Sequence, residues 1–316
     1  MSTKTSKSTL PMIRLSLILA LSLAIASLVM AIVIPDLRAR KNAVGSLSGL
    51  SPELQRTFTA EDDFAPLPKP GFSDWLANHK EPGQTYQQFI NSRPNMPGAG
   101  GRNIIYLQPL GKFPDSAPKI ETLHKYMEAY FHPMKVKVAP SLEIANSVLV
   151  KSRKNAGRLQ WNCLDILNLL QKRVPRDAYI VMGITMTDLY PSEDWNFVFG
   201  MARIKNRVGA FSFARYGDDP TLALKRAMKV ISHETGHAFG IRHCIHFHCL
   251  MNGSNHLNET DRAPLHFCPA CLRKIHRGLK FDPVVRYQKL AAFLKEHKMA
   301  DEAEWFEKRI KKINKP

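Results

Sequence analysis

Apolar residues fall along this chain in three regimes. Leu15 to Ile34 is a run of twenty residues without a charge. As a helix it would span the roughly 30 Å hydrocarbon core of a bilayer. Residues 42 to 70 carry no apolar period that would build a core. Gly45-Ser46-Leu47-Ser48-Gly49 is small and flexible, and Pro66, Pro68 and Pro70 are stiff, which predicts a tether. From Gly71 onward apolar positions come in short runs and helical stripes. Asn103 to Gln108, Met134 to Val138, Asn196 to Ile204 and Val208 to Phe213 predict strands, with Lys205-Asn206-Arg207 as a hairpin loop. Ala178 to Thr185 is apolar throughout and fits a buried central strand. Pro118 to Phe131 and Leu159 to Lys172 predict helices, Asp74-Trp75 and Gln87 to Asn91 short ones. A further helix, with Thr221 as its N-cap, carries the chemistry described below. Ala210 to Ala214 would then be the sheet edge that lines a cleft. Tyr287 to Lys315 reads as one or two basic amphipathic helices packed on the domain. Alternating strands and helices imply an α/β or α+β layered fold.

The uncharged run ends at Pro35-Asp36, and Arg38, Arg40 and Lys41 follow. Ala24-Ile25-Ala26 resembles a signal cleavage site but lies inside the run, which favours an uncleaved single-pass anchor over a secreted product. The chain has 316 residues and a formal net charge of +18. Its basic residues are spread out, densest after Arg273, and no aromatic-basic interleaving points to nucleic acid. Gly98, Gly100 and Gly101 lack the Lys-Ser/Thr of a phosphate-cradling loop.

The sharpest pattern is ISHETGHAFGIRHCIHFHCLM, Ile231 to Met251. His233, Glu234, His237, Gly240 and His243 stand at the spacing H-E-x-x-H-x-x-G-x-x-H. Residues four apart share a helix face, so His233 and His237 can aim at one point. Gly240 can take the left-handed conformation that ends a helix, and the chain then bends back so that His243 can supply a third nitrogen. Three neutral imidazoles with an open fourth position make a catalytic zinc site. Glu234, beside the first ligand, can take a proton from the attacking water as general base. The contrasting reading is a non-catalytic, membrane-tethered zinc-binding protein whose basic surface recruits acidic partners.

Cys163 stands alone, whereas Cys244, Cys249, Cys268 and Cys271 cluster after His243. Their spacing suits two thiolate pairs on one structural zinc, for two zinc ions per chain in all. Two disulfides, or a redox pair at Cys268-Pro269-Ala270-Cys271, are the alternatives. Met251 could floor the histidine site, although methionine is ordinarily core filler. His246, His248 and His256 read as surface or loop residues, and His266 is open.

The run HETGHAFGIRHC, then Cys249-Leu250-Met251, then CPAC resembles the archaemetzincins, a branch of the metzincin zinc peptidases. SDWLANH near Trp75, GITMTDLYPSEDWNFVFG from Gly183, FSFARYGDD from Phe211 and MNGSNHLNETDRAPLHFCPACL from Met251 resemble the vertebrate branch. The resemblance implies a zincin-like fold, a twisted mixed sheet over an active-site helix. It implies His233, His237 and His243 as catalytic zinc ligands, Glu234 as base, the four clustered cysteines as structural ligands and Met251 as the Met-turn. It implies a metallopeptidase acting on peptides or proteins, aminopeptidases included. No tyrosine follows Met251 closely, so the tyrosine some metzincins place near zinc has no counterpart. The predicted organisation is a basic N-terminus and membrane segment over 1–34, a linker over 35–70, the catalytic domain over 71–285 and a basic helical extension over 286–316.

Overall fold

The computed structural model describes residues 34–61, 63–144 and 147–315. Its strands are β1 (Ile104–Leu110), β2 (Lys135–Val138), β3 (Ser152–Asn155), β4 (Arg158–Asn162), β5 (Ala178–Thr185), β6 (Asp188–Tyr190), β7 (Gly200–Arg203) and β8 (Val208–Ser212). Its α-helices are α1 (Leu37–Val44), α2 (Pro52–Phe58), α3 (Trp75–Asn78), α4 (Tyr86–Asn91), α5 (Ile120–Tyr130), α6 (Cys163–Gln171), α7 (Pro220–Ala238), α8 (Leu257–Arg262), α9 (Pro269–Leu279), α10 (Pro283–Glu296) and α11 (Ala300–Ile313).

β5 is buried at every position, as an unbroken apolar strand with both faces covered must be. It is the centre of a five-stranded sheet in the order β2-β1-β5-β8-β7, beside a smaller sheet in the order β3-β4-β6. β2, β1, β5 and β8 run parallel, and β7 returns antiparallel on β8. One apolar cluster joins Ile166, Leu167 and Leu170 of α6 to Val181 and Val208. The larger core joins Tyr126, Ile180, Phe211, Ile231 and Leu294. The fold is thus mixed α/β, with helices on both sides of the main sheet.

Several expectations change. The helix expected from Leu159 begins at Cys163, because residues 158–162 pair as β4 with β3 and β6. Asn162 caps the helix, its Oδ1 accepting from the Asp165 amide at 3.0 Å. The N-cap of α7 is Asp219, not Thr221: its Oδ1 accepts from the Leu222 amide at 2.7 Å, and Pro220 takes the first helical position. The expected cleft edge, Ala210 to Ala214, is largely β8, an interior strand. The hairpin returns through Ile204–Asn206 and Arg207, whose φ is 58°, so β7 becomes the edge.

The linker expected over 35–70 is packed structure. Phe58 and Phe64 are fully buried, and the described part of the segment forms α1, α2 and a wrap held from the far end of the chain. Fully buried Arg309 on α11 donates to Asp63 Oδ2 at 2.7 Å and to the carbonyls of Arg56 and Thr57 at 3.0 Å. The C-terminal extension is likewise integral, its Leu290, Leu294 and Phe306 belonging to the same core. Arg309→Ala leaves Asp63 with Lys312 as its remaining cation and empties a buried site. We expect a loss of about 3 kcal/mol, the low end for breaking a buried ion pair, read by denaturant unfolding. A loss below about 1 kcal/mol would show that the wrap is held by its apolar residues alone. The membrane segment expected over 15–34 lies, except for Ile34, outside the described residues. Among the described residues no helix is long and apolar enough to cross a membrane.

Candidate metal centres and active site

α7 carries the first two histidines on one face, and a tight turn delivers the third. Gly240 has φ +82°. Its amide donates to the His237 carbonyl at 2.8 Å and the Ile241 amide to the Gly236 carbonyl at 3.3 Å, the paired bonds of a helix stop that needs a left-handed residue. The same turn swings the Ile241 carbonyl under His237, whose Nδ1–H donates to it at 2.7 Å. His233 Nδ1–H donates to the Leu250 carbonyl at 2.9 Å. His243 Nδ1 lies 2.7 Å from Glu81 Oε1.

With every Nδ1 so engaged, the three Nε2 atoms are left to converge. One ligand atom from each of His233, His237 and His243 lies within 4.8 Å of the others. The Nε2 atoms of His233 and His237 face each other at 3.0 Å. Since a carbonyl can only accept, the ring protons of these two sit on Nδ1, and the facing nitrogens present lone pairs to each other. Such a contact is repulsive unless a cation lies between. Two nitrogens 2.0–2.1 Å from a tetrahedral zinc stand about 3.3 Å apart, so the donor set fits this ion. Burial holds His237 down to about 4 and His233 well below the ordinary histidine range. Both are therefore neutral at pH 7, the ligating form.

Glu234 follows His233 on α7, lines the same cleft as the three histidines and is almost fully buried. Burial pushes its carboxyl up to about 8, so alone it holds a proton at pH 7; the charge of a divalent ion on the histidines would draw it back to the ionised form that a base needs. A Cβ on Gly200 would come within 3.0 Å of Glu234 Oε1, so the edge strand can pass this close to the carboxylate only without a side chain. Met251 is fully buried. Its sulfur occupies the space a Cβ on Gly236 would need, directly beneath the turn of α7 between His233 and His237.

The four clustered cysteines also come together, one sulfur from each within 4.8 Å of the rest. The Cys244 and Cys268 sulfurs are 3.7 Å apart and all five cysteines are free thiols, against about 2.05 Å for a disulfide. Burial drives the Cys249 and Cys268 thiols well up, so a cation is what would hold the group as thiolates. Backbone amides already point at the sulfurs: those of Cys268 and Met251 donate to Cys249 Sγ at 3.2 and 3.4 Å. The donor set again fits zinc.

The two centres share one loop. Cys244 follows His243, and Cys249 precedes Leu250, whose carbonyl orients His233. Asn252 ties the loop shut. It accepts from the Cys249 amide at 2.8 Å and donates to the carbonyls of Cys244 and Phe247 at 2.7 and 2.9 Å. Sequence pattern singles out neither Asn252 nor Gly200. Glu81 escapes it too, since nothing in the local sequence marks it.

The histidines open onto a cleft of about 590 Å³, lined among others by Trp75, His79, Trp195, Phe199, Val230 and Leu250. Trp75 stacks on His79 at 3.8 Å. Two of the other histidines have structural places. His256 caps α8, and His266 stacks on Trp305 at 3.6 Å, which docks α11. Asp74, His256 and Glu259 form a third cluster, but its carboxylates are spent on protein groups. Asp74 accepts from Arg262 at 2.8 Å, and Glu259 accepts from the Trp75 amide at 2.9 and 3.0 Å.

Comparison with known proteins points to one family. The family model described as Peptidase family M54 matches residues 124–277. Archaemetzincin-2 of Pongo abelii is 36% identical over 272 residues, covering 74% of this chain and 76% of the relative. Archaemetzincin-1 of Homo sapiens is 34% identical over 262 residues, covering 71% and 52%. Among solved structures, the archaemetzincin of Methanopyrus kandleri is 31% identical with a TM-score of 0.48, covering 58% of this chain and 98% of its own. The extent of the match to archaemetzincin-2, together with the family model, makes the chain a member of the archaemetzincins, peptidase family M54.

Proposed function

We propose that the protein hydrolyses peptide bonds with zinc held by His233, His237 and His243 and with Glu234 as the proton-accepting base. A second zinc, held by Cys244, Cys249, Cys268 and Cys271, fixes the loop that carries His243. The observation that supports this most is the convergence of three imidazoles, one ring nitrogen of each within 4.8 Å of the others and every Nδ1 already committed, at the wall of an open cleft that Glu234 also lines. Zinc, when bound, supplies an acidified water and polarises the scissile carbonyl. Glu234 takes the proton at its carboxylate, holds it out of bulk water and returns it to the leaving amine. The three oxygens on Nδ1 keep the rings from rotating while this happens.

The edge strand β7 is the proposed substrate rail. The Phe199 carbonyl accepts from the Ser212 amide at 2.9 Å. By the alternation of an antiparallel pair, the N–H and C=O groups of Gly200 and Ala202 therefore turn away from β8, along the cleft that both residues line. An extended peptide can pair with them. Ala202→Pro removes one outward donor at an edge position that tolerates proline. We expect KM to rise by up to about tenfold, the upper end of what one hydrogen bond is worth, with unchanged metal content. An unaltered KM, or lost metal, would remove β7 from substrate binding.

Digestion of a broad peptide library, with zinc counted on the same sample, tests the reading as a whole. Cleavage with two zincs is expected, and the fragment ends show whether residues leave singly from the amino terminus. Two zincs without any cleavage would instead indicate a binding module.

A further inference from the structure

We infer that Glu81 is a positioning residue for the histidine centre, orienting His243 and setting how tightly that centre holds its metal. The inference rests on the zinc reading above, and Glu81 and Trp75 lie before the stretch 124–277 that the family model matches.

His233 and His237 ride on a helix whose backbone limits their rotamers, and each donates to a main-chain carbonyl. His243 lies beyond the helix stop, in irregular chain, and its Nδ1 meets a side chain instead. That partner is the carboxylate of Glu81, 162 residues earlier, at 2.7 Å. The same Oε1 accepts from Trp75 Nε1–H at 2.9 Å, and the Trp75 ring stands edge-on to the His243 ring at 5.2 Å and 80°. One oxygen and one indole thus define both the direction and the tilt of the imidazole.

This support is itself held. The Trp75 amide is clasped by both oxygens of Glu259, and Asp74 by Arg262. The third cluster of acidic and histidine side chains is accordingly the anchor of this strap. A carboxylate acceptor also differs from a carbonyl in charge. It makes the ring a stronger donor, and it brings a negative charge next to one ligand of a divalent ion otherwise ringed by neutral imidazoles. Outer partners of metal-bound histidines typically contribute about 10–100-fold in metal affinity or activity.

The test is zinc affinity by chelator competition and cobalt substitution on the full-length wild type, Glu81→Ala, Glu81→Gln and Trp75→Phe. Cobalt on thiolates shows charge-transfer bands that cobalt on imidazoles lacks, so the two centres are read separately. We expect Glu81→Ala to weaken the histidine centre by about 10–100-fold, with the thiolate signal unchanged. Glu81→Gln, which still accepts from Nδ1 but carries no charge, falls between Ala and wild type. Trp75→Phe, which keeps a ring but drops the N–H, shifts the imidazole cobalt spectrum. Histidine-centre affinity within about twofold of wild type in both Glu81 variants would overturn the inference, as would equal weakening of both centres. Should Glu81→Ala not fold, Glu81→Gln and Trp75→Phe decide it by the same readouts. A wild type that binds no metal on its histidines would refute the zinc reading itself, a distinct result.

Discussion

Glu234→Gln is expected to keep its metal and lose peptide turnover by on the order of 10³-fold or more, near the upper part of the range for a general acid–base residue. The amide has the shape of the carboxylate, so it fits the space that Gly200 leaves open and disturbs neither α7 nor the histidines on either side. What it lacks is an oxygen basic enough to take the water's proton, and hence the proton that must be delivered to the leaving amine. The loss therefore belongs in kcat, with KM nearly unchanged. Zinc content by elemental analysis and steady-state kinetics on one peptide suffice. Turnover within about tenfold of wild type would assign proton transfer to some other group and remove the mechanism proposed here.

Cys268→Ser is expected to cost the second metal and more stability than any other single change considered. Cys268 caps α9 and its sulfur lies among the other three. A structural zinc contributes apparent free energies of about 10–16 kcal/mol to folding in zinc-finger peptides. Even partial loss here should lower the melting midpoint by on the order of 10 °C, since 1 kcal/mol shifts a domain of this size by about 2–4 °C. The histidine centre should weaken as well, because the Leu250 carbonyl that orients His233 and the start of the His243 loop hang on the same cysteines. Retention of two metals, or a midpoint within about 3 °C of wild type, would show that the thiols do not carry a structural ion. Alkylation of the native protein adds a further check. Two disulfides would leave one metal per chain and only Cys163 to react after unfolding.

Much of the architecture is legible in short-range pattern. The β5 run and the α5 stripe appear where expected, and the Gly240 stop lies where the motif requires it, because strand, helix and helix end answer to periods and residue types only a few positions apart. Expectation and structure part where two local patterns overlap. Leu159 to Asn162 satisfies a helical stripe and a strand equally, and pairing with β6 decides between them. The stretch 35–70 looks like a tether because its few apolar residues have no period of their own, yet Phe58 and Phe64 pack on a core supplied from elsewhere. Ala210 to Ala214 reads as the edge in sequence, but which strand ends a sheet depends on how the hairpin folds back.

The chain's own order of residues was sufficient to bring out the candidate donors, three histidines and four cysteines, and Glu234 as the candidate base, at spacings that a helix turn and two tight loops convert into proximity. It could not name Glu81, 162 residues from His243, or pair Arg309 with Asp63, 246 residues away. Contacts at those separations obey no sequence period. They arise only when burial of the two apolar cores fixes where the segments lie, and an isolated glutamate or arginine carries no mark of the partner that folding will bring to it.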